Sequence, residues 1–376
     1  MNVLSLFDGM SCGQIALNKI GIKPAKYYAA EIDKYAIQVT QANYPKTIQL
    51  GSVTEWRDWG INWSSIDLVS GGFPCQAWSM AGKQLGDKDE RGMLFWVMLD
   101  IMKHAKSHNP KIKLLIENVK MKKEFEEYIT HHTEQALGEV NKVLINSALV
   151  SAQNRSRYYW TNWHVEQPED KGIVLADIIE VNVDSEFISK TPKNHNNGNQ
   201  LNPNYKSQAN TIHDVNSKMP TICAGTHGYA LGHIPVKHDT PKRVATATDI
   251  KGHDYNKRIY SAHGKCPTLA ASSGGNLETK IDIRKKSKTV RASGRGSFDR
   301  HEWDSISNCH YRKLTPLECE RLQCVPDNYT NHVSNTQRYK MLGNGWTVDV
   351  IAHIFSQMEL PIQVFARQLD MFEDAA

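Results

Sequence analysis

The sequence holds no stretch approaching the roughly twenty consecutive apolar residues that a membrane-crossing helix needs, so no helical membrane span is expected. Cysteine is scarce. There are seven in 376 residues, an odd set with no CxxC pair, and only Cys319 and Cys324 stand near each other. Neither a disulfide framework nor a metal site is expected from such spacing, and a reducing, cytoplasmic setting is. The opening Met1-Asn2-Val3-Leu4-Ser5-Leu6 lacks the basic flank and small-residue cleavage site of an export signal, and it reads as a buried strand. A large net charge is also missing, since the total is +5. Its distribution is uneven: residues 251–300 carry twelve Lys or Arg against four Asp or Glu, a surplus of eight that leaves the rest at −3. Such a concentration suits a polyanion-binding face, although a solvated lysine-rich loop has the same composition.

What is present is the mix of an ordinary globular chain, with 40% hydrophobic and 23% charged residues and enough length for two domains. Over the first 165 or so residues, short apolar runs alternate with helical periods, the pattern of an α/β domain on a largely parallel sheet. Strands are expected at Val3 to Leu6, Tyr27 to Ala30, Ile66 to Ser70 and Lys113 to Ile116. Helices are expected at Gln14 to Ile20, Lys34 to Asn43, Leu94 to His104 and Lys122 to Gly138. From about Asp184 to Lys218 the composition turns to Asn, Lys, Ser and Pro, as at a domain junction. Short β segments with Gly-rich turns follow. Within them Ala209-Asn210-Thr211-Ile212, Met219-Pro220-Thr221-Ile222 and Cys266-Pro267-Thr268-Leu269 repeat a Thr before a branched aliphatic. A single helical period from Arg338 to Met358 is expected to pack back on the first domain.

In sheets of this kind ligands sit beyond the carboxyl ends of the strands. Phe7-Asp8-Gly9-Met10-Ser11-Cys12-Gly13 is a small-residue turn that lets a nucleotide-like ligand approach a helix N-terminus, and it would serve equally as a plain strand-to-helix connection. Glu31, after the second strand and about twenty residues on, is placed to accept both hydroxyls of a ribose. The sharpest feature is Gly71-Gly72-Phe73-Pro74-Cys75-Gln76, where a cysteine follows Gly-Gly and Pro at a strand's carboxyl end. Most cysteines are small core hydrophobes, but one in this position is exposed enough to act as a thiolate nucleophile. Glu117, ending the next strand, would face the same cavity, either as an acid or as a helix cap or ion-pair partner.

These stretches, taken in order, resemble the DNA cytosine-5 methyltransferases. Phe7-Asp8-Gly9, Pro74-Cys75-Gln76, Glu117-Asn118-Val119, Gln153-Asn154-Arg155-Ser156-Arg157 and Gly343-Asn344-Gly345 are similar to the family's successive motifs. Gly82-Lys83-Gln84, Glu90 to Phe95 and Arg312 to Cys319 add to the match, which runs over nearly the whole chain except residues 185–250. The resemblance implies a Rossmann-like, S-adenosylmethionine-dependent methyltransferase sheet, formed by residues 1–182 with 338–376. A smaller β- and turn-rich target-recognition domain would take residues 183–337. It implies double-stranded DNA as partner, with no membrane and no obligate protein partner.

By the same resemblance, Cys75 adds to cytosine C6 and makes C5 enamine-like, Glu117 holds the ring at N3 and the exocyclic amine, and Arg157 contacts O2. Arg155 lies near the catalytic loop and a phosphate. The target base swings out of the duplex and the loop Ser79 to Gly86, with Ser79, Lys83 and Gln84, closes over it. S-adenosyl-L-methionine lies against Phe7, Asp8, Gly9, Glu31, Ile32, Ser52, Val53, Pro74, Leu94 and Asn344, with Ile32 stacking on adenine. Tyr255, Asn256, Arg258, Thr268, Gly274 and Gly275 are the residues matched to DNA reading.

Three positions depart from the family pattern. Ser11 replaces a glycine, Ser52 stands where an acid would meet the adenine amine, and Gly345 replaces a serine. Two other readings keep or replace the substrate. A tRNA-acting member of the family would have a smaller recognition segment than the roughly 150 residues present, and a silent DNA-binding regulator would not need Cys75, Glu117 and Arg157 together. An amino-methyltransferase would need an Asp/Asn-Pro-Pro-aromatic motif, which the sequence lacks.

Overall fold

The computed structural model describes residues 1–74, 90–180, 218–220, 234–236, 243–246, 258–261, 280–282, 310–312 and 314–359. Its centre is a seven-stranded sheet in the order β3-β2-β1-β4-β5-β8-β6. The strands are β1 (Asn2–Leu6), β2 (Lys26–Ala30), β3 (Ile48–Gln49), β4 (Leu68–Gly71), β5 (Lys113–Val119), β6 (Asn141–Asn146) and β8 (Ser156–Thr161). β1 pairs in parallel with β2 and β4, and β4 with β5, while β8 runs antiparallel between β5 and β6. Burial on both faces explains why these strands read as near-continuous apolar runs.

Side chains alternate between two cores, as the two-residue period of a strand requires. Val3, Ala29, Leu68 and Leu115 face α1 (Cys12–Lys19) and the C-terminal helices. Leu4, Leu6, Ala30, Val69, Leu114 and Ile116 face the other way, where Phe95, Met98, Met102 and Ile129 of α3 (Glu90–His108) and α4 (Lys123–Leu137) fill the core. α2 (Lys34–Asn43) begins at Asp33, whose carboxylate accepts the Tyr35 amide at 3.0 Å as an N-cap.

Several expected boundaries move, among them β4, which begins at Leu68, and α3, which runs from Glu90 to His108; two further moves bear on the cleft. β5 runs to Val119 instead of ending at Ile116, because Glu117, Asn118 and Val119 pair with Tyr159, Tyr158 and Arg157 of β8. The helical period from Arg338 is two helices, α6 (Asn335–Asn344) and α7 (Val348–Ser356), broken at Gly345. A β-carbon on Gly345 would lie 2.9 Å from Met10 Cε and 3.1 Å from the Met341 carbonyl, so a side chain there would require Met10 to swing aside and the carbonyl to yield slightly. The carbonyls exposed by the break are met from elsewhere. Gln323 donates to Leu342 O at 2.7 Å and Gly345 O at 3.2 Å, and Arg155 to Gly343 O at 3.3 Å and Gly345 O at 3.0 Å.

Between the two halves of this domain the described segments are short strands. β7 (Gln153–Asn154) pairs with β9 (Met219–Pro220), β10 (Ile234–Val236) with β14 (His310–Arg312), and β12 (Arg258–Ser261) with both β11 (Arg243–Thr246) and β13 (Lys280–Asp282). The repeats at Thr211, Thr221 and Thr268 lie outside the described residues. Lys218, just before β9, donates to Ile173 O at 2.8 Å and also to Ala148 O. Leu314, Cys319, Leu322, Val325 and Tyr329 share the core with α1 and α7, although residues up to 337 were expected in the smaller domain. The Glu180 amide donates to Glu318 Oε1 at 2.8 Å, and the Thr315 hydroxyl donates to the Glu180 carboxylate. That ties the two ends of the intervening segment together, beside α5 (Pro316–Leu322) and its capping box of Thr315 and Glu318.

One fully buried ion pair braces this C-terminal region. Glu320 accepts from Arg338 Nη2 at 3.0 Å, from the Asn328 amide at 2.7 Å and from the Thr330 amide at 2.9 Å. Replacing one partner strands the other charge inside the protein. Arg338→Met is therefore expected to lower the unfolding free energy by roughly 3 kcal/mol in a urea titration. A loss below about 1 kcal/mol would show that the two backbone amides and the Thr330 hydroxyl satisfy Glu320 without Arg338.

Candidate functional site

A cleft of about 520 Å³ opens over the carboxyl ends of β1, β2 and β4. It is lined by Phe7, Asp8, Gly9, Glu31, Ile32, Ser52, Val53, Pro74, Leu94, Glu117, Arg155, Arg157 and Asn344, so residues picked from eight separate stretches of sequence come together. Cys75, Ser79, Lys83, Gln84, Tyr255, Asn256, Thr268, Gly274 and Gly275 lie outside the described residues. Arg258 falls on β12, described as a strand only.

At the cleft's first wall the chain turns sharply after β1. Phe7, Gly9 and Ser11 all take left-handed backbone angles, with φ of 55°, 59° and 61°. For Phe and Ser this conformation is costly, so neighbouring bonds must hold it. The Asp8 amide donates to Ala30 O at 3.2 Å and the Gly9 amide to Glu31 Oε2 at 2.7 Å. Asp8 turns its carboxylate into the protein, where the Tyr27 hydroxyl donates at 2.8 Å and the Ser11 hydroxyl donates to the other oxygen. It thus secures the turn while also lining the cleft. Burial pushes the Asp8 carboxyl up from 3.8 to about 6, against the opposing hydrogen bonds from Ser11, Ser5 and Tyr27.

Glu31 at the end of β2 accepts three backbone amides, from Gly9, Ile32 and Asp33, the last two at 2.8 Å on Oε1. Its orientation is thereby fixed, with lone pairs left for a ligand's hydroxyls. Ile32 beside it is 76% exposed, an apolar side chain largely open to solvent at the mouth of the cleft. Ser52, which stands where an acid was expected, caps the turn Val53–Asp58. Its hydroxyl accepts the Thr54 amide at 3.2 Å and pairs with the Thr54 hydroxyl at 2.7 Å.

The far wall carries a buried charge pair. Glu117 is 8% exposed, and its Oε1 lies 3.1 Å from Arg157 Nε. The register explains the meeting: Arg157 sits opposite Val119, so it is the diagonal neighbour of Glu117 on the same face. Glu117 Oε2 accepts the indole N–H of Trp346 at 3.1 Å. Trp346 was not singled out in the sequence, though it directly follows Gly343-Asn344-Gly345. Nothing local marks it, because its contact is made across 229 residues. Gly72 is needed here, since a β-carbon would come within 2.7 Å of Glu117 Oε2. Asn118 donates to Phe73 O at 3.1 Å and so fixes the segment that ends at Pro74, the last described residue before Cys75. Arg155 is 4% exposed and bound to the Gly343 and Gly345 carbonyls, a strut under the C-terminal turn that also lines the cleft.

Comparison with known proteins points one way. The family model of C-5 cytosine-specific DNA methylases matches residues 1–360. The chain is 27% identical to the orphan methyltransferase M.SPBetaI of Bacillus phage SPbeta, over 95% of this chain and 97% of that protein. It is also 27% identical to the type II methyltransferase M.HhaI of Haemophilus parahaemolyticus, over 94% and 93% respectively. Among solved structures, a DNMT2 of Spodoptera frugiperda has a TM-score of 0.56 at 20% identity, over 94% of this chain and 98% of that one. The Dnmt2 of S. pombe has the same TM-score at 16% identity, over 95% and 97%. At those identities the two structures show the shared fold.

Asp8 gives the site a pH signature. The folded chain holds the Asp8 proton more tightly than the unfolded chain, so its stabilising contribution is full below about pH 4 and is lost as pH rises through about 6. Asp8→Asn removes this loss. Across that window the gap between variant and wild type should move in the variant's favour by up to about 3 kcal/mol, measured by urea unfolding at several pH values. Parallel pH curves for the two proteins would mean that Asp8 does not carry a raised proton affinity.

Proposed function

The chain belongs to the C-5 cytosine-specific DNA methylase family, and from that premise we propose how its residues divide the work of methylating DNA cytosine. The observation that carries the reading is the convergence of the Glu117–Arg157 pair, the Glu31 carboxylate and the Pro74 segment on one cleft.

S-adenosylmethionine, when bound, supplies an electrophilic methyl group on a sulfonium. The residues present fit such a molecule: fixed Glu31 for the ribose hydroxyls, exposed Ile32 for one face of a purine, and the turn Phe7 to Ser11 for close backbone approach. Asn344 and Leu94 complete the lining.

On the other wall Glu117 and Arg157 hold a cytosine that has left the duplex stack, Glu117 at N3 and the exocyclic amine, Arg157 at O2. The Cys75 thiolate forms a bond to C6, and the displaced ring electrons make C5 nucleophilic. C5 then takes the methyl group. Loss of the C5 proton to a base restores the C5–C6 double bond and expels the thiolate. A proton shared between Glu117 and N3, together with the Arg157 guanidinium at O2, offsets the negative charge that the thiolate brings to the ring.

Cys75 as nucleophile is checked by trapping. DNA carrying 5-fluorocytosine at the target, with cofactor, should form an adduct that survives denaturation, because fluorine cannot leave as the proton does. Cys75→Ala should form none, yet still bind DNA through phosphate contacts. An adduct in the alanine variant would falsify the assignment.

Residues between Glu180 and Leu314 are proposed to read the DNA sequence, since their two ends meet at one staple and their basic stretch suits phosphates. Exchanging that segment for a relative's should carry the relative's target site with it while cofactor affinity stays within about twofold, as distant sites add independently. Bisulfite sequencing of DNA from cells making an active chimera decides: retention of the original site places base reading elsewhere.

A further inference from the structure

We propose that Trp346 is a positioning residue for methyl transfer, which sets the Glu117 carboxylate through its indole N–H; this rests on the reading of Glu117 just given. Glu117 is almost fully buried and has two carboxylate oxygens to satisfy. Arg157 takes Oε1 at 3.1 Å and the Trp346 indole takes Oε2, also at 3.1 Å. With only one of these donors the carboxylate could rotate about its last bond. With both, its plane is set before a base arrives. Gly72 leaves the room for this, because a β-carbon there would meet both Glu117 Oε2 at 2.7 Å and Trp346 Nε1 at 3.2 Å.

Trp346 is itself held with care. It follows the break between α6 and α7, whose carbonyls are taken by Arg155 and Gln323. Thr347, the next residue, donates its hydroxyl to Gln323 Oε1 at 2.8 Å and accepts from the Ser147 hydroxyl at 2.9 Å. Asn344, two residues earlier on the same turn, lines the cofactor side of the cleft. One rigid turn therefore touches both halves of the cleft, and the strut Arg155 acts on Glu117 through it.

The test compares Trp346→Phe with wild type on the protein's methylated DNA site. Phe keeps the ring packing and loses the N–H. The expected result is a fall of about tenfold or more in kcat, the scale of one lost hydrogen bond to a charged group, with KM for S-adenosylmethionine within about twofold. Trp346→His, which restores a ring N–H donor, should recover part of the rate. In a Glu117→Gln background, Trp346→Phe should change the remaining single-turnover rate by less than about twofold, because the group it acts through is altered. If the two losses multiply instead, or if Trp346→Phe alone leaves kcat at the wild-type value, the proposal is wrong. Wild-type protein that methylates no cytosine in DNA would overturn the underlying reading and not this inference alone. Retained binding of S-adenosylhomocysteine by calorimetry serves as the folding control, and a Trp346→Phe protein that lost it would make the residue a structural one and overturn the proposal.

Discussion

Everything at the cleft hangs on the antiparallel pairing of β8 against β5. Parallel strands deliver their functional residues at one edge of a sheet, each followed by a loop of its own. A strand running the other way brings its first residues to that same edge, and here these are the residues beginning Ser156-Arg157. The register then puts Arg157 diagonal to Glu117, within reach of a direct ion pair. A slip of one residue would turn Arg157 to the opposite face of the sheet and leave Glu117 buried with its Oε1 unmatched. The bulky pairing that follows, with Tyr159 and Trp160 buried on opposite faces, makes such a slip costly.

A second constraint comes from the chain's return after residue 314. The C-terminal helices cover one face of the sheet, and they also reach the cleft through a turn that is not itself regular structure. Irregular backbone in a buried place needs partners for its carbonyls. Gln323 and Arg155 provide them, one from the segment after α5 and one from the strand pair that carries Arg157. Polar side chains in the interior thus serve as fasteners between parts of the chain that are distant in sequence. The same holds for Tyr329, whose hydroxyl donates to Met10 O at 2.8 Å and anchors the first turn to the last helices.

Much of the domain was legible from residue order, and the reasons are local. α2 was read to both ends because Asp33 marks its start and a polar, apolar period sustains it. Strand runs were legible because burial on both faces makes them continuous. The cleft residues were legible because strand ends in α/β sheets are where ligands sit. What was not legible was decided at a distance. The last three residues of β5 are strand only because β8 lies beside them. The break at Gly345 sits inside an apolar period and is held open by side chains up to 190 residues away. Ser52 looked like a missing acid, and the fold uses it as a cap for Val53–Asp58. Asp8 was legible as a cleft residue, but its bonds to Tyr27 and Ser11, which hold the turn, were not.

The staple between Glu180 and Thr315 closes a loop whose ends are 135 residues apart in sequence. The entropy of closing a flexible loop grows only with the logarithm of its length, about 0.6 kcal/mol for each doubling. Once both ends are fixed on the large domain, lengthening or shortening what lies between them costs the rest of the protein little. Selection on the intervening segment is then nearly uncoupled from selection on the sheet. Descendants of this chain are free to differ most in size between these two anchor points.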